Sequence, residues 1–343
     1  MLKVGKLQNG TSIYISEKSP NRHISVLGIS GSGKTVRLRE LISNVVTNEE
    51  TVLIFDINGM DYKNCADKIR FISACEDGLH LDLLDAGIDE AGKISHIMSI
   101  VRVLCRAFRL GSKQEEILRN ALLYAIDHRE EMESDLSAIR AGLQDQATPA
   151  AKAVESRLWE FFEVDIVRRV PSELETGCAN VISLEGLSPS LQSVWVELIL
   201  TLLWRKLRTK ALTVKNLWIF IDEFQNLSLK KDSVLLEMLR EARKYGANLV
   251  LATQSVAGYE KDILAAIDQT AVHLFFRQGL TDMKKIASLI DVNKKGLWET
   301  KLKALHVGES IAVGCFSMNG KTIENPIIIS SEFNRSCEAA IRL

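Results

Sequence analysis

His23-Ile24-Ser25-Val26-Leu27-Gly28-Ile29-Ser30-Gly31-Ser32-Gly33-Lys34-Thr35 reads as a short apolar strand, a loop of small residues and the mouth of a helix. Gly28, Gly33, Lys34 and Thr35 fit the pattern G-x-x-x-x-G-K-[ST]. Such a loop, here through Ser30, Gly31 and Ser32, lets backbone N–H groups curl around an anion. The helix opening near Lys34 turns its positive end toward the same place. Lys34 can then reach the β- and γ-phosphates of a nucleoside triphosphate, with the Thr35 hydroxyl placed for Mg²⁺. ATP and Mg²⁺ are the cofactors this stretch calls for. A chance glycine-serine loop rarely matches the full pattern, and the flanking strand and helix make chance rarer still.

Downstream of the loop, residues 36–46 carry apolar side chains at helical spacing. Thr51-Val52-Leu53-Ile54-Phe55-Asp56 is a continuous apolar strand, as in a sheet covered on both faces. Asp56 at its end either approaches the active site or caps the turn Asn58-Gly59-Met60-Asp61. Upstream, the alternation at 11–15 after Asn9-Gly10 suggests a strand or hairpin preface. Residues 90–170 change character, with amphipathic runs at 91–109, 112–128, 132–143 and 149–163 and a capping box at Ser112-Lys113-Gln114-Glu115. His96 and His128 fall among them and read as structural.

Strand pattern returns at 180–184 and is followed by an apolar helix over 189–208, whose Arg205, Lys206 and Arg208 suit a helix C-terminus. Then Leu217-Trp218-Ile219-Phe220-Ile221 runs into Asp222-Glu223. Two carboxylates ending an apolar strand are costly unless a cation or bound water uses them. This is the Walker B arrangement: Asp222 holds the Mg²⁺ shell through water, and Glu223 polarises the attacking water. A helix over 231–245 ends in Arg243-Lys244-Tyr245, with Gly246 as C-cap. Residues 248–255 form a strand finishing in Thr253-Gln254-Ser255, polar groups able to sense a γ-phosphate or hold water. Further elements are expected as a helix at 260–267, a strand at 271–277 ending in Arg277, helices at 281–290 and 294–303, and strands at 311–316 and 326–329. Pro326 suits a strand start.

The 343 residues include 43 basic and 44 acidic ones, a net charge of −1, so no global field draws the protein to DNA. Any nucleic-acid surface is local or arises on assembly. Lys230-Lys231, Lys284-Lys285, Lys294-Lys295 and Lys301-x-Lys303 offer basic positions, though surface lysines are commonly only a solvated face. The six cysteines are scattered without metal-ligand spacing, which fits a reducing cytoplasm. Apolar stretches are short, so no direct membrane insertion is expected.

The element order places Asp222 on a strand well downstream of the phosphate loop. Another strand is expected between the two, as in RecA-type motors. Residues 28–35, 219–227, 241–246, 251–255 and 270–277 together resemble those of the HerA–FtsK superfamily. The nearest flavour is that of HerA-like translocases and conjugative coupling ATPases, and the likeness runs over residues 20–330. It implies an α/β fold: a RecA-like P-loop NTPase core with a largely parallel central sheet, helices on both faces and an all-helical insertion. Residues 1–89 are then the N-terminal part of the motor core, 90–170 the insertion, and 171–343 the part with Walker B, sensor and closing strands.

The resemblance also implies ATP hydrolysis by a homo-oligomer, most naturally a hexameric ring, with DNA passing through its pore. Gln254 matches the polar sensor, and Arg243 the arginine supplied to a neighbour, with Arg277 its rival. The amino-terminal β-barrel of HerA motors, the membrane anchor of coupling proteins and the winged helix of FtsK are not expected here. A separate nuclease or other effector, as in anti-phage defence, would then complete the machine. Two alternatives stay open: a protein-translocating ATPase of the secretion type, and an ATP-dependent scaffold for a partner.

Overall fold

The computed structural model describes residues 1–331 apart from 86–88, 170–172, 213, 215, 228–232, 257, 258 and 260. Lys230-Lys231 and the start of the helix expected from 231 lie outside the described residues. The chain opens with an antiparallel hairpin, β1 (Lys3–Lys6) and β2 (Ser12–Ile15). It continues through β3 (Ile24–Leu27), α1 (Lys34–Thr47), β4 (Thr51–Asp56) and β5 (Ile69–Ser73). A mostly helical stretch follows: β6 (Leu79–His80), α2 (Glu90–Ala107), α3 (Ser112–Asp127), α4 (Asp135–Asp145), α5 (Pro149–Arg157), α6 (Trp159–Glu163) and β7 (Val167–Arg168). Next come β8 (Ala179–Ser183), α7 (Pro189–Arg208), β9 (Leu217–Ile221), α8 (Val234–Glu241) and β10 (Ala247–Thr253). The last part holds α9 (Lys261–Asp268), β11 (Val272–Phe275), α10 (Leu280–Ile290) and α11 (Lys295–Ala304). It closes with β12 (Glu309–Gly314), β13 (Phe316–Met318), β14 (Lys321–Ile323) and β15 (Ile327–Ser330).

Two compact units result. The first comprises Met1–Phe71, Leu174–Ile182 and Thr213–Leu343; the second comprises Ile72–Glu173 and Ser183–Leu212. Residues 90–170 thus fall, among the described positions, within the second unit, which also takes in α7.

The sheet runs β14-β13-β2-β1-β15-β12-β11-β3-β10-β9-β4-β8-β5. Its centre, β11-β3-β10-β9-β4, is parallel throughout. On the β11 side the partners become antiparallel, from β12 through β15, β1, β2 and β13 to β14. The parallel centre explains the unbroken apolar runs, since β3, β4, β9 and β10 are buried at every position. Successive strand residues point to opposite faces. Ile24 and Val26 of β3 therefore join Val250 and Phe220 in a core with Leu38, Leu41 and Ile42 of α1. Leu27, Phe275 and Ile311 join Met283 and Ile286 of α10 and Leu302 of α11 in a core on the other face.

The hairpin of β13 and β14 is an addition to the expected elements. Its turn is Asn319-Gly320, both at positive φ (49° and 76°), the conformation that a two-residue turn between twisted strands demands.

In the second unit, Phe161 stacks on Trp195 with ring centroids 5.1 Å apart. Gly142 lets α4 press against α3, because a Cβ there would lie 2.5 Å from the Ala121 carbonyl oxygen. Asp135, fully buried, accepts from the Leu83 and Leu84 amides and from the guanidinium groups of Arg129 and Arg169. His96 meets the Leu83 carbonyl at 2.8 Å, and His128 stacks on Tyr124 at 4.0 Å. The capping residue of α3 is Gly111 rather than Ser112, and Gln114 Oε1 accepts its N–H at 3.1 Å. No described helix is long and apolar enough to cross a membrane.

One buried group in the first unit gives acid stability a specific dependence. His23, 1% exposed, accepts the Leu249 amide through Nδ1 at 3.0 Å, and burial, aided by the Arg243 charge, lowers its pKa to about 4. The unfolded chain takes up this proton near the ordinary value of 6.5, so folding loses stability as pH falls through 6.5 toward 4. The loss from this one group is about 3 kcal/mol by pH 4. Asn at 23 offers an oxygen near Nδ1 and does not titrate. His23→Asn should therefore show a shallower decline than wild type in denaturant melts between pH 7 and 4, and parallel declines would refute the assignment.

Candidate active site

The phosphate loop leaves β3 at Gly28 and is held from three sides. The Gly28 amide donates to the Thr253 carbonyl at the end of β10, and the Ile29 amide to the Arg277 carbonyl after β11. Beneath it, the Gly308 amide donates to the Ser32 carbonyl at 2.9 Å. That approach requires glycine at 33, where φ is +102° and a Cβ would lie 2.7 Å from the Gly308 nitrogen. Gly31, at φ +72°, has no atom within 4 Å of where a Cβ would stand, so the crown of the loop faces open space. Arg37, one turn into α1 and fully buried, donates to the carbonyls of Val4 and Gly308 and so fastens the helix to its support.

Lys34 is 6% exposed and folds back over the loop, donating to the Gly28 carbonyl at 2.7 Å and the Ile29 carbonyl at 3.3 Å. Burial lowers its pKa, while Glu223 and Asp222 pull it back up. The two acids therefore act on the ammonium electrostatically from the end of β9. Asp222 is oriented at both oxygens: Tyr62 Oη donates to Oδ2 at 2.6 Å, and the Glu223 amide to Oδ1 at 2.9 Å. Its pKa is raised chiefly by burial, against the Tyr62 hydrogen bond; the Glu223 charge adds to the rise and Lys34 opposes it.

Glu223 takes a left-handed conformation, φ 53° and ψ 41°. For a side chain with a Cβ this costs roughly 1–2 kcal/mol, strain of the sort found where a side chain must be re-aimed. Its carboxylate is held by two amides, Gln254 Nε2 at 2.6 Å on Oε1 and Gln225 Nε2 on Oε2. Thr253 in turn donates to Gln225 Oε1 at 2.7 Å, and Ser255 to Asp282 Oδ2 at 2.6 Å. The sheet order accounts for this gathering. β10 lies between β3 and β9, so the ends of all three parallel strands deliver the loop, the acids and the polar tail to one edge.

These groups fit a magnesium–nucleotide: a glycine loop with an open crown, a lysine, and a carboxylate pair, with Thr35 at the head of α1. The arginines part company. Arg277 lies at the loop edge, its carbonyl on the Ile29 amide and its side chain exposed. Arg243 lies before β10 and donates to the Pro20 carbonyl before β3. It is thus a strand length of roughly 20 Å from Lys34 within its own chain. The residues not foreseen are Tyr62, Gln225, Arg37 and Asp282; only Gln225, beside the acids, stood in a stretch singled out for its motif.

The family described as "Helicase HerA, central domain" matches residues 2–203. The chain belongs to that family. A second model, described as "Type IV secretion-system coupling protein DNA-binding domain", matches residues 184–270 and so covers the acids, Arg243 and Gln254. The "DNA double-strand break repair helicase HerA" of Sulfurisphaera tokodaii is 24% identical across 91% of this chain and 66% of its own length. The HerA-family chain therefore spans just under two thirds of that relative.

Among solved structures, VirB4 of Thermoanaerobacter pseudethanolicus superposes with a TM-score of 0.74 at 15% identity, covering 96% of each chain. The plasmid coupling protein TrwB in complex with ADP and Mg²⁺ gives 0.61 at 17% identity, covering 92% of this chain and 86% of that one. At such identities the likeness concerns the fold. The two family matches and the HerA relative assign the chain to the HerA–FtsK superfamily of P-loop motor ATPases, and the fold is a RecA-like core.

Proposed function

We propose that the chain is an ATP-hydrolysing motor that moves DNA, working as a ring of identical subunits. The observation that carries this reading is β10 between β3 and β9, which sets Gln254 on Glu223 and both beside the phosphate loop. In this reading Lys34 leaves the Gly28 carbonyl for the phosphates of ATP. Thr35 and Asp222 would hold Mg²⁺, which supplies charge neutralisation to the transferring phosphoryl group. Glu223, let go by its glutamines, takes the proton of the attacking water, and Gln254 reports whether a γ-phosphate is there. Arg243 lies far from its own loop, so its catalytic use requires a neighbouring subunit. Arg277 would serve the loop of its own chain.

DNA is supported as the substrate by the descriptions of the two matching families and by a local charge excess. Helices α10 and α11 and the turn joining them carry Lys284, Lys285, Lys294, Lys295, Lys301 and Lys303. Among residues 280–304 the acids are only Asp282, which is buried, Asp291 and Glu299. A local excess of this kind suits phosphates even where the whole chain has no net positive charge.

A second reading, an ATP-gated scaffold with slow turnover, is favoured by the double amide hold on Glu223. One experiment separates them: steady-state ATP hydrolysis with and without duplex DNA, alongside native mass with a non-hydrolysable analogue. The motor reading expects DNA to raise the rate several-fold and the mass to correspond to six chains. A slow rate indifferent to DNA would favour the scaffold.

A further inference from the structure

The loop of residues 57–62, with Asp56 at the end of β4 before it, touches both α1 and Asp222. The Asp56 carboxylate closes the loop on itself, accepting the Gly59 amide at 2.9 Å and the Tyr62 amide at 3.0 Å. Asn58 Nδ2 donates to Asp61 Oδ2 at 2.7 Å and stiffens it further. From this closed loop two adjacent residues reach in different directions. Asp61 is gripped by Arg39, whose Nε donates to the Asp61 carbonyl and whose Nη2 lies 3.5 Å from its carboxylate. Arg39 stands four residues after Thr35 on α1, and therefore on the same face of the helix. Tyr62, 1% exposed, sits in the α1-side core and donates to Asp222 Oδ2.

We infer that this loop is a strut setting the spacing between Thr35 and Asp222, with Tyr62 as the positioning residue for Asp222. The inference rests on the reading of these two side chains as the holders of Mg²⁺. A buried tyrosine hydroxyl needs some acceptor, and a main-chain carbonyl would have satisfied it. Here it ends on the carboxylate whose other oxygen is already fixed by the Glu223 amide, so the plane of the carboxylate is locked before any metal arrives. Hydrogen bonds that orient a metal-holding group commonly change metal affinity or activity about 10–100-fold when removed.

The test is ADP binding by calorimetry, with Mg²⁺ and with EDTA, for wild type, Tyr62→Phe and Arg39→Ala. Phenylalanine keeps the ring and removes only the hydroxyl. Tyr62→Phe should reduce the Mg²⁺-dependent gain in ADP affinity about tenfold and leave metal-free affinity within twofold of wild type. The Mg²⁺ concentration for half-maximal hydrolysis should rise in step, with little change in KM for ATP at saturating Mg²⁺. Arg39→Ala alters a partly exposed side chain and should move the same quantity in the same direction, so a poorly folding Tyr62→Phe leaves the strut open to refutation. Wild-type Mg²⁺ dependence in both variants would overturn the strut. A wild-type protein whose ADP binding ignores Mg²⁺ would instead overturn the reading of the site itself.

Discussion

Glu223→Gln should bind nucleotide as wild type does and hydrolyse ATP about 10²–10⁴-fold more slowly, the range that loss of a positioned general base produces. The substitution keeps length and shape, and the left-handed backbone at 223 carries the same strain for either residue. The partners also tolerate it. Gln254 and Gln225 each carry an amide that can turn over, so the pair that now donates to a carboxylate can instead exchange donors and acceptors with an amide. What is lost is the capacity to accept a proton from water. Single-turnover hydrolysis, read beside binding of a fluorescent nucleotide, separates the two effects. Turnover within a few-fold of wild type would remove Glu223 from the chemistry and leave it as a partner of the two glutamines.

Lys34→Ala should act on the other quantity, weakening triphosphate affinity by about 10–100-fold, the worth of one charge-assisted hydrogen bond to a phosphate. The arrangement around Lys34 argues for the upper part of that range. Its ammonium is buried over the loop and is the cation set against Asp222 and Glu223 in the electrostatics of the site. Alanine would present a polyanion with two carboxylates and without the ammonium that now acts on them. In the free protein the Gly28 carbonyl loses its lysine donor, whereas the Ile29 carbonyl keeps the Ser32 hydroxyl at 2.7 Å. Equilibrium titration with the fluorescent nucleotide reads the change, and an affinity equal to wild type would mean that the loop does not use this lysine.

The sequence was most informative where chemistry and local structure coincide. Residues 28–35 state their loop because only glycine tolerates the backbone at 33 and because Lys34 and Thr35 open a helix. The apolar runs ending in Asp222 and Thr253 announce strands, and the need for one of them to lie beside the phosphate-loop strand follows from the order of elements. Asp56, left between two roles, proves to hold its turn through two amides. By way of Tyr62 it also bears on the site.

What escaped depends on contacts that sequence distance hides. Tyr62 meets Asp222 across 160 positions, and Asp282 meets Ser255 across 27. No periodicity marks either pair. The β13–β14 hairpin leaves little trace in the sequence because its strands are three residues each, too short for alternation to register, although Asn319-Gly320 is itself a turn signal. A single helix expected over 149–163 divides at Leu158 into α5 and α6, since amphipathic spacing persists through a break that backbone bonding does not. The two arginines could not be separated by sequence, because Arg243 and Arg277 each border a core strand. They differ in which end of the sheet they occupy.

The central claim is that a magnesium-bound triphosphate docks against the loop of residues 28–35, opposite Asp222 and Glu223. Calorimetric titration of the purified chain with a non-hydrolysable ATP analogue and Mg²⁺ tests it most directly. The account expects one saturable site per chain, weakened when Mg²⁺ is withdrawn and again in Lys34→Ala. Absence of binding heat at any analogue concentration, confirmed by equilibrium dialysis, would contradict it.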